Sequence, residues 1–181
     1  MIKKMIKNKF KSILSYNLKM ETETEIYFYG LKNKFGYMSN FYKTNFKDNN
    51  DINFICSEQY FMYHKCLTFD NDNQYLLNAI LQETSATNIK KFGREVKNFN
   101  DTIWKEKRYN IMIEALRLKF NQNEIIKQKL LETKPKILYE ASKYDKIWGI
   151  GFYDKDAIIS DKNKFGANLL GKALMEIREE L

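Results

Sequence analysis

The spacing of apolar residues changes along this chain, from short alternating runs in the first third to helical repeats in the remainder. Residues 26–29 form an aromatic and β-branched run that stops at Gly30, which predicts a strand. Ile52, Phe54 and Cys56 alternate with polar positions and predict a second strand. The pattern therefore predicts an α+β fold, mostly helical, in which a small antiparallel sheet from the N-terminal third packs on later helices.

Helical periodicity dominates the chain after this second strand. Ser57 precedes a run of apolar residues and is predicted to be a helix N-cap. Gly93 is predicted to end a helix, and residues 153–164 are predicted to form a polar loop. Helices are predicted at residues 57–65, 73–81, 87–92, 101–120 and 125–131, and a terminal helix is predicted to begin near residue 165.

The charge of +8 is concentrated at the N-terminus. Six of the 31 Lys and Arg residues precede Glu21, the first acidic residue, which leaves 25 basic against 23 acidic residues in the rest of the chain. Only four of the basic residues are Arg, so bidentate readers of guanine are scarce and direct reading of duplex DNA is not expected. Residues 1–25 are predicted to be a basic, disordered extension, and residues 26–181 a single domain.

Cys56 and Cys66 are the only cysteines, and the sequence contains one His. A metal site therefore has little support, and no cofactor is expected. The unpaired thiols indicate a reduced, intracellular protein of the cytoplasm. Neither a membrane span nor a signal peptide is predicted, because no apolar run is long enough.

The predicted helix at residues 57–65 carries the first candidate chemistry. Glu58 and Lys65 are seven residues apart, so both fall on one face about 10 Å apart along the axis. Met62 lies between them. A small ligand would reach both charges, whereas a direct helical ion pair needs a spacing of three or four residues. In the simpler interpretation, Glu58 complements the helix dipole and Lys65 is solvated.

Other segments carry polar or aromatic groups that suit a nucleotide. Ser39 and Asn40 either form a turn or present a hydroxyl and an amide to a sugar or phosphate. Arg94 is either a helix-end residue or a ligand for pyrophosphate. Trp104 and Arg108 lie one helical turn apart, where they either form a cation–π pair or wall a pocket for a flat base.

The segment from residue 145 to 151 combines Asp145, Trp148 and two glycines, including Gly149. Glycines at this density let the backbone approach a ligand beside an aromatic plane, although a buried turn uses the same residues. Gly171, near the start of the terminal helix, would let backbone N–H groups face an anion.

The chain carries a specific series of short motifs: Phe28-Tyr29-Gly30, Ser39-Asn40-Phe41, Ser57-Glu58-Gln59-Tyr60 with Lys65, Gly93-Arg94, Trp104 with Arg108, Lys119-Phe120, Leu130-Leu131-Glu132-Thr133, Asp145 with Trp148-Gly149, and Asn168-Leu170-Gly171 with Leu174-Met175 and Arg178. The order of these motifs along residues 26–181 resembles the NADAR family, also called the YbiA-like N-glycosidases. The resemblance implies hydrolysis of an N-glycosidic bond on a ribosyl compound, without a cofactor. In some members the substrates are phosphoribosylamino-pyrimidine intermediates of riboflavin synthesis, and in others ADP-ribose attached to guanine.

Two departures from the family pattern affect the predicted substrate. Gln59 and Met62 stand where many members carry His and Gln, and the loop at residues 150–165 is longer than in the shortest members. The predicted partner is a small ribosyl or nucleotide substrate, most specifically a riboflavin-pathway intermediate. ADP-ribosylated guanine in nucleic acid is the alternative substrate. A module that binds ADP-ribose without cleaving it, or an interaction protein with a vestigial pocket, is a further alternative.

Cleavage of a ribosyl C–N bond develops positive charge on the sugar, which a fixed carboxylate stabilises. Glu58 is the first choice for this carboxylate and Asp145 the second. Lys65 contacts the phosphate, protonates the leaving base or attacks an opened sugar as an amine, and the sequence leaves these three roles open. The predicted substrate-binding residues are Ser39, Asn40, Arg94, Trp104, Arg108, Trp148, Gly149, Asn168 and Gly171.

Overall fold

Seven α-helices and four short strands make up the secondary structure of residues 20–181, the part of the chain that the computed structural model describes. The strands are β1 (Glu25–Phe28), β2 (Phe46–Lys47), β3 (Asn53–Phe54) and β4 (Ile137–Glu140). The helices are α1 (Ser57–Phe69), α2 (Gln74–Gln82), α3 (Ala86–Glu95), α4 (Asp101–Asn121), α5 (Glu124–Leu131), α6 (Asp154–Ala157) and α7 (Leu169–Glu180). This content confirms the predicted mostly helical α+β class.

Several element boundaries differ from the sequence prediction. Helix α3 continues through Gly93 instead of ending there. Helix α7 begins at Leu169, four residues later than predicted. The segment predicted as a polar loop contains the short helix α6 and a 3-10 turn at Lys162–Lys164.

The chain divides into two units. The first unit contains residues 20–39 and Thr133–Met175, and the second contains Asn40–Glu132 and Glu176–Leu181. Of the predicted N-terminal extension, residues 1–19 lie outside the described residues.

The first unit is built on a parallel pair of strands. Every residue of β1 is buried, and β1 pairs in parallel with β4, with Tyr27 opposite Tyr139. The rings of these two residues stack with their centroids 5.2 Å apart. Parallel pairing needs a long crossover connection, which the chain between the two strands provides. The antiparallel sheet that the sequence predicts is formed by β2 and β3, and β1 is not part of it.

The residues just before β1 are part of this first unit. Met20 is buried, and its carbonyl accepts a hydrogen bond of 2.7 Å from the backbone of Tyr27. Glu21 forms ion pairs with Lys34 at 2.7 Å and Lys136 at 2.8 Å.

The second unit is organised around α1. This helix packs against α2, α3 and α4, and most of its first two turns are buried on all sides. The buried amide of Gln59 accepts a hydrogen bond from the backbone of Ile55 at 2.8 Å and donates to the carbonyls of Ile80 at 2.8 Å and Leu81 at 3.1 Å. Because the last carbonyls of a helix have no partner within it, this amide ties the end of α2 to the start of α1.

No helix within residues 20–181 has both the length and the apolar content needed to cross a lipid bilayer.

A glycine allows close packing between α7 and β4 in the first unit. A Cβ atom at Gly171 would overlap the carbonyl of Leu138 and the side chain of Asn168. Gly171→Ala should therefore lower the free energy of unfolding by about 1–3 kcal/mol, as overpacking does in other cores. Urea denaturation measures this loss. Lys172→Ala, at an exposed position of the same helix, is the control, and equal urea midpoints for the two variants would contradict the packing.

Candidate active site

Glu58 lies in the first turn of α1, where it is 5% exposed. The chain reaches this turn in an extended conformation, so Cys56 occupies the N-cap position and Ser57 is the first helical residue. The prediction that Ser57 caps the helix is therefore wrong. The backbone N–H of Glu58, in the first turn, donates to the carbonyl of Asn40, at 3.0 Å. This bond fixes the segment that begins at Asn40 against the start of the helix.

Two buried polar atoms belong to residues that adjoin Glu58 through the chain or through its backbone N–H. Asn40 Oδ1 and Ser57 Oγ are both inaccessible and have no hydrogen-bond partner among the described residues. Buried polar atoms in folded proteins nearly always have a partner, because leaving one unsatisfied costs about 1–3 kcal/mol. Asn40 and Ser57 therefore retain unused hydrogen-bonding capacity next to the start of α1.

Lys65 lies two turns further along α1 and is half-buried. Its ammonium donates a hydrogen bond of 2.6 Å to the carbonyl of Gly93 and lies 4.4 Å from the ring centre of Phe99. Burial lowers the pKa of Lys65, and the nearby charge of Arg94 lowers it further, whereas the charge of Glu58 raises it. A carbonyl oxygen and an aromatic face both favour the charged form, so this end of α1 presents a fixed cation.

Gly93 makes this arrangement possible. A Cβ atom at this position would overlap the sulfur of Met62, which is buried in the middle of α1. The missing side chain thus lets α3 approach α1 closely enough for the Gly93 carbonyl to reach Lys65.

Aromatic side chains form a wall beside the Lys65 end of the helix. Trp104 is 7% exposed, and its ring lies 4.9 Å from that of Phe61 and 6.0 Å from that of Phe69. Arg108, one turn further along α4, is half-buried and makes no cation–π contact with Trp104. No acidic residue in the described part of the chain forms an ion pair with Arg108 or with the exposed Arg94.

The predicted residues of the first unit have local structural partners. Asp145 Oδ1 accepts hydrogen bonds of 2.8 Å from the backbones of Ile147 and Trp148, so it shapes its own loop. Asn168 Nδ2 donates to the carbonyl of Leu138 at 2.9 Å, and its Oδ1 accepts from the backbone of Glu140 at 3.0 Å. The Asn168 amide thus extends the hydrogen bonding of β4.

Gly149 also has a packing role. A Cβ atom there would lie 2.9 Å from the carbonyl oxygens of Asp145 and Glu140. Like Gly171, this glycine permits a close approach of two backbone segments. Such packing agrees with the simpler interpretation of the sequence, in which the glycines belong to a buried turn.

The second unit therefore brings together Asn40, Glu58, Lys65 and Arg94 around α1, with Trp104 and Arg108 on the helix that packs against it. The remaining predicted residues belong to the first unit, and the functional roles of both groups stay predictions. The residues of the first unit are Ser39, Asp145, Trp148, Gly149, Asn168 and Gly171.

Sequence reasoning missed two candidate residues in the second unit. The sequence pattern assigns Ser57 to capping and includes Lys119 only in the motif Lys119-Phe120, whereas the Lys119 side chain is completely buried. The signal for Lys119 is its helical spacing from the buried Ala115 and Leu116, because a lysine on an apolar face is seldom fully buried without a specific reason.

Comparison with known proteins assigns the chain to a family. The family model described as "NADAR domain" matches residues 27–181. The chain belongs to the NADAR domain family. This confirms the resemblance found in the sequence.

Three relatives illustrate the range of the family. The chain is 42% identical to N-glycosidase R617 of Acanthamoeba polyphaga mimivirus over 169 residues, which cover 89% of this chain and 98% of that protein. It is 31% identical to N-glycosidase YbiA of Escherichia coli, covering 88% and 89% of the two chains. It is 30% identical to riboflavin biosynthesis protein VVA0006 of Vibrio vulnificus, covering 88% of this chain and 39% of that protein.

The fold agrees with a solved member of the family. The NMR structure of the E. coli protein YbiA matches with a TM-score of 0.71 at 29% identity, covering 88% of this chain and 86% of that chain. The NADAR relatives named N-glycosidases are hydrolases of N-glycosyl compounds, and the present chain is an enzyme of this class.

The contact between Gly93 and Met62 can be tested by a pair of substitutions. Gly93→Ala should lower the free energy of unfolding by about 1–3 kcal/mol, because the new methyl group meets the Met62 sulfur. Met62→Ala makes room for that methyl group. The double variant should therefore lose less stability than the sum of the two single variants, as measured by urea denaturation. Additive losses would show that the two residues do not compete for space.

Proposed function

We propose that this NADAR protein hydrolyses the bond between a base and a phosphorylated ribose, with Glu58 as the carboxylate that stabilises the transition state. The observation that carries the proposal is the placement of Glu58 and Lys65 on α1. A buried carboxylate in the first turn and a fixed ammonium two turns later suit the two ends of a ribose phosphate.

The reaction requires negative charge next to the sugar. As the C–N bond breaks, positive charge develops on C1 and the ring oxygen, and an ionised carboxylate fixed nearby stabilises it. The first turn of a helix favours an ionised carboxylate, because the free N–H groups there carry partial positive charge. Glu58 in this position also orients the water that attacks C1. The unsatisfied oxygens of Asn40 and Ser57 are suited to bind ribose hydroxyl groups.

Of the three roles that the sequence left open for Lys65, phosphate binding agrees best with its contacts. Its hydrogen bond to the Gly93 carbonyl and its position over the Phe99 ring favour an ammonium ion, whereas attack on an opened sugar needs a neutral amine. Arg94 adds a second positive charge near the same group. Asp145 is the second candidate carboxylate, with one oxygen engaged in its own loop.

The first candidate substrates are phosphoribosylamino-pyrimidine intermediates of riboflavin synthesis. The similarity to a riboflavin biosynthesis protein supports this choice. The second candidate is ADP-ribose linked to guanine. It is favoured by Arg94 and Arg108, because two arginines without acidic partners would suit a pyrophosphate. A module that only binds ADP-ribose would need these cations but not Glu58.

The free, buried thiols of Cys56 and Cys66 support a reducing compartment such as the cytoplasm.

Two substrate assays and one variant test the proposal. The protein should release ribose 5-phosphate from the pyrimidine intermediates, whereas release of ADP-ribose from ADP-ribosylated guanosine DNA would establish the second candidate. Glu58→Gln should lower turnover of the accepted substrate by at least roughly a hundredfold while leaving its Kd nearly unchanged, since the lost interaction acts in the transition state. Product chromatography and calorimetry measure the two quantities.

The matched control is Glu106→Gln, at an exposed position of α4. It should retain full turnover. A folded Glu58→Gln variant with less than a threefold loss would rule out the catalytic role of Glu58, and substrate binding without release of either product would favour the binding module.

Deletion of residues 1–19 should leave hydrolysis unchanged, because the family match begins at residue 27 and the candidate site lies in later segments. Deletion of residues 1–23 should lower Tm, because it also removes the buried Met20 and the ion pairs of Glu21 with Lys34 and Lys136. Thermal denaturation and a steady-state assay of both products measure these effects. A large loss of turnover in the variant that lacks residues 1–19 would contradict this prediction and show that lysines of that segment take part in the reaction.

A further inference from the structure

Phe99 lies in the connection between α3 and α4, residues 96–100, and its apolar side chain is 44% exposed. The ammonium of Lys65 lies over this ring, 4.4 Å from its centre. A cation within about 6 Å of an aromatic ring centre is attracted by the negative face of the ring. The exposed ring of Phe99 therefore has a specific partner, and that partner is a candidate residue of the site.

The backbone on both sides of Phe99 is fixed. Before it, the N–H of Lys97 donates a hydrogen bond of 3.2 Å to the carboxylate of Asp70, the residue that follows α1. After it, the side chain of Asn100 caps the start of α4. Asn98 adopts a left-handed backbone conformation, with φ 56°, which asparagine tolerates better than most residues. The connection therefore has a defined conformation, which presents Phe99 to the end of α1.

A row of aromatic rings holds the Phe99 side chain from the other direction. The Phe99 ring meets the Phe69 ring edge to face, with centroids 5.2 Å apart and planes at 68°. Phe69 in turn meets Trp104, which is almost fully buried, at 6.0 Å and 64°. Rings attract each other in this arrangement and at these distances. The row thus runs from the interior to the surface, and Phe99 at its outer end is anchored by Phe69.

Two successive segments of the chain therefore hold the Lys65 ammonium, since the Gly93 carbonyl comes from α3 and the Phe99 ring from the connection that follows. A lysine ammonium has three N–H donors. Among the described residues, the Gly93 carbonyl accepts from one of these donors and the Phe99 ring faces another, which leaves one for a phosphate oxygen. Because a free lysine side chain loses much rotamer freedom when a ligand fixes it, an ammonium that is already held binds a ligand more tightly.

We propose that Phe99 is a positioning residue, which holds the Lys65 ammonium in the place where it binds the phosphate of the substrate. The proposal rests on the proposed role of Lys65 in phosphate binding. The ring need not contact the substrate, because its effect on binding passes through Lys65.

NMR tests the contact between the two side chains without any substrate. Nuclei above the face of an aromatic ring are shifted upfield by its ring current, so the ε-methylene protons of Lys65 should resonate upfield of those of exposed lysines. Their signal is assigned by its loss in Lys65→Met. The upfield shift should disappear in Phe99→Leu and persist in Phe99→Tyr, which keeps the ring. Equal Lys65 shifts in the wild type and in Phe99→Leu would overturn the proposal.

Titration with ribose 5-phosphate measures the effect on phosphate binding. Phe99→Leu should raise the Kd about three- to tenfold, the scale of a cation–π contact at a partly buried site. Phe99→Tyr should bind like the wild type. The matched control is Tyr75→Leu, which replaces an aromatic residue of α2 that is 84% exposed, and it should also leave the Kd unchanged. An unchanged Kd in folded Phe99→Leu would contradict the positioning role.

A double-mutant cycle shows whether Phe99 acts through Lys65. Lys65→Met should weaken ribose 5-phosphate binding strongly, and Phe99→Leu should add little to this loss in the double variant Phe99→Leu/Lys65→Met. Additive losses would overturn the proposal, because they would mean that Phe99 affects binding without Lys65.

Failure of the proposed function has a different signature. If Lys65→Met and the wild type bind ribose 5-phosphate equally, or if neither binds it, the phosphate-binding role of Lys65 is wrong. The Lys65 upfield shift still reports in that case whether Phe99 holds the ammonium.

Two measurements apply if Phe99→Leu does not fold. Phe99→Met removes the ring but keeps a flexible apolar side chain against Phe69, and it should give the same loss of upfield shift and of affinity. In the wild type, nuclear Overhauser effects should connect the Phe99 ring protons with the Lys65 methylene groups. Their absence would overturn the proposal without any variant.

Discussion

The burial of α1 is the constraint on which the second unit depends. Three helices pack against it, and its start is fixed by polar contacts to other segments: the Glu58 N–H binds the Asn40 carbonyl, and the Gln59 amide binds the last carbonyls of α2. These bonds satisfy backbone groups that a helix cannot satisfy itself. They also fix the backbone that carries the buried Glu58 side chain, and a carboxylate that stabilises a short-lived charge has to be held in place.

The same contacts explain the two departures from the family pattern at Gln59 and Met62. Gln59 is fully buried, and its side-chain amide forms hydrogen bonds with backbone groups of Ile55, Ile80 and Leu81. Met62 fills the space that Gly93 leaves empty. Both side chains thus contribute to the packing of α1. A family member with other residues at these two positions is therefore expected to differ in how α1 packs against its neighbours. A difference in substrate is better sought among the cations at the Lys65 end.

Local patterns predicted six of the seven described helices, the strand at β1 and the common face of Glu58 and Lys65, because each depends on residues close in sequence. Contacts between distant segments were not predictable. The parallel partner of β1 is β4, more than a hundred residues later, and the extended backbone at Cys56 displaced the expected cap at Ser57. Likewise, the helical spacing of Lys119 from Ala115 and Leu116 indicates burial but not which distant segments surround the side chain.

The charges along α1 indicate how a ribose phosphate would be oriented in the proposed reaction. Glu58 places negative charge at one end, and Lys65 with Arg94 places positive charge at the other. A ribose phosphate has the complementary arrangement, with positive charge developing at C1 and negative charge at the phosphate. The repulsion that Arg94 exerts on Lys65 would be relieved by a bound dianion, so phosphate binding stabilises the cationic end. Because α1 is tightly packed, a phosphate bound there would set the position of C1 relative to Glu58 in the proposed reaction, and binding energy far from the broken bond would be used for catalysis.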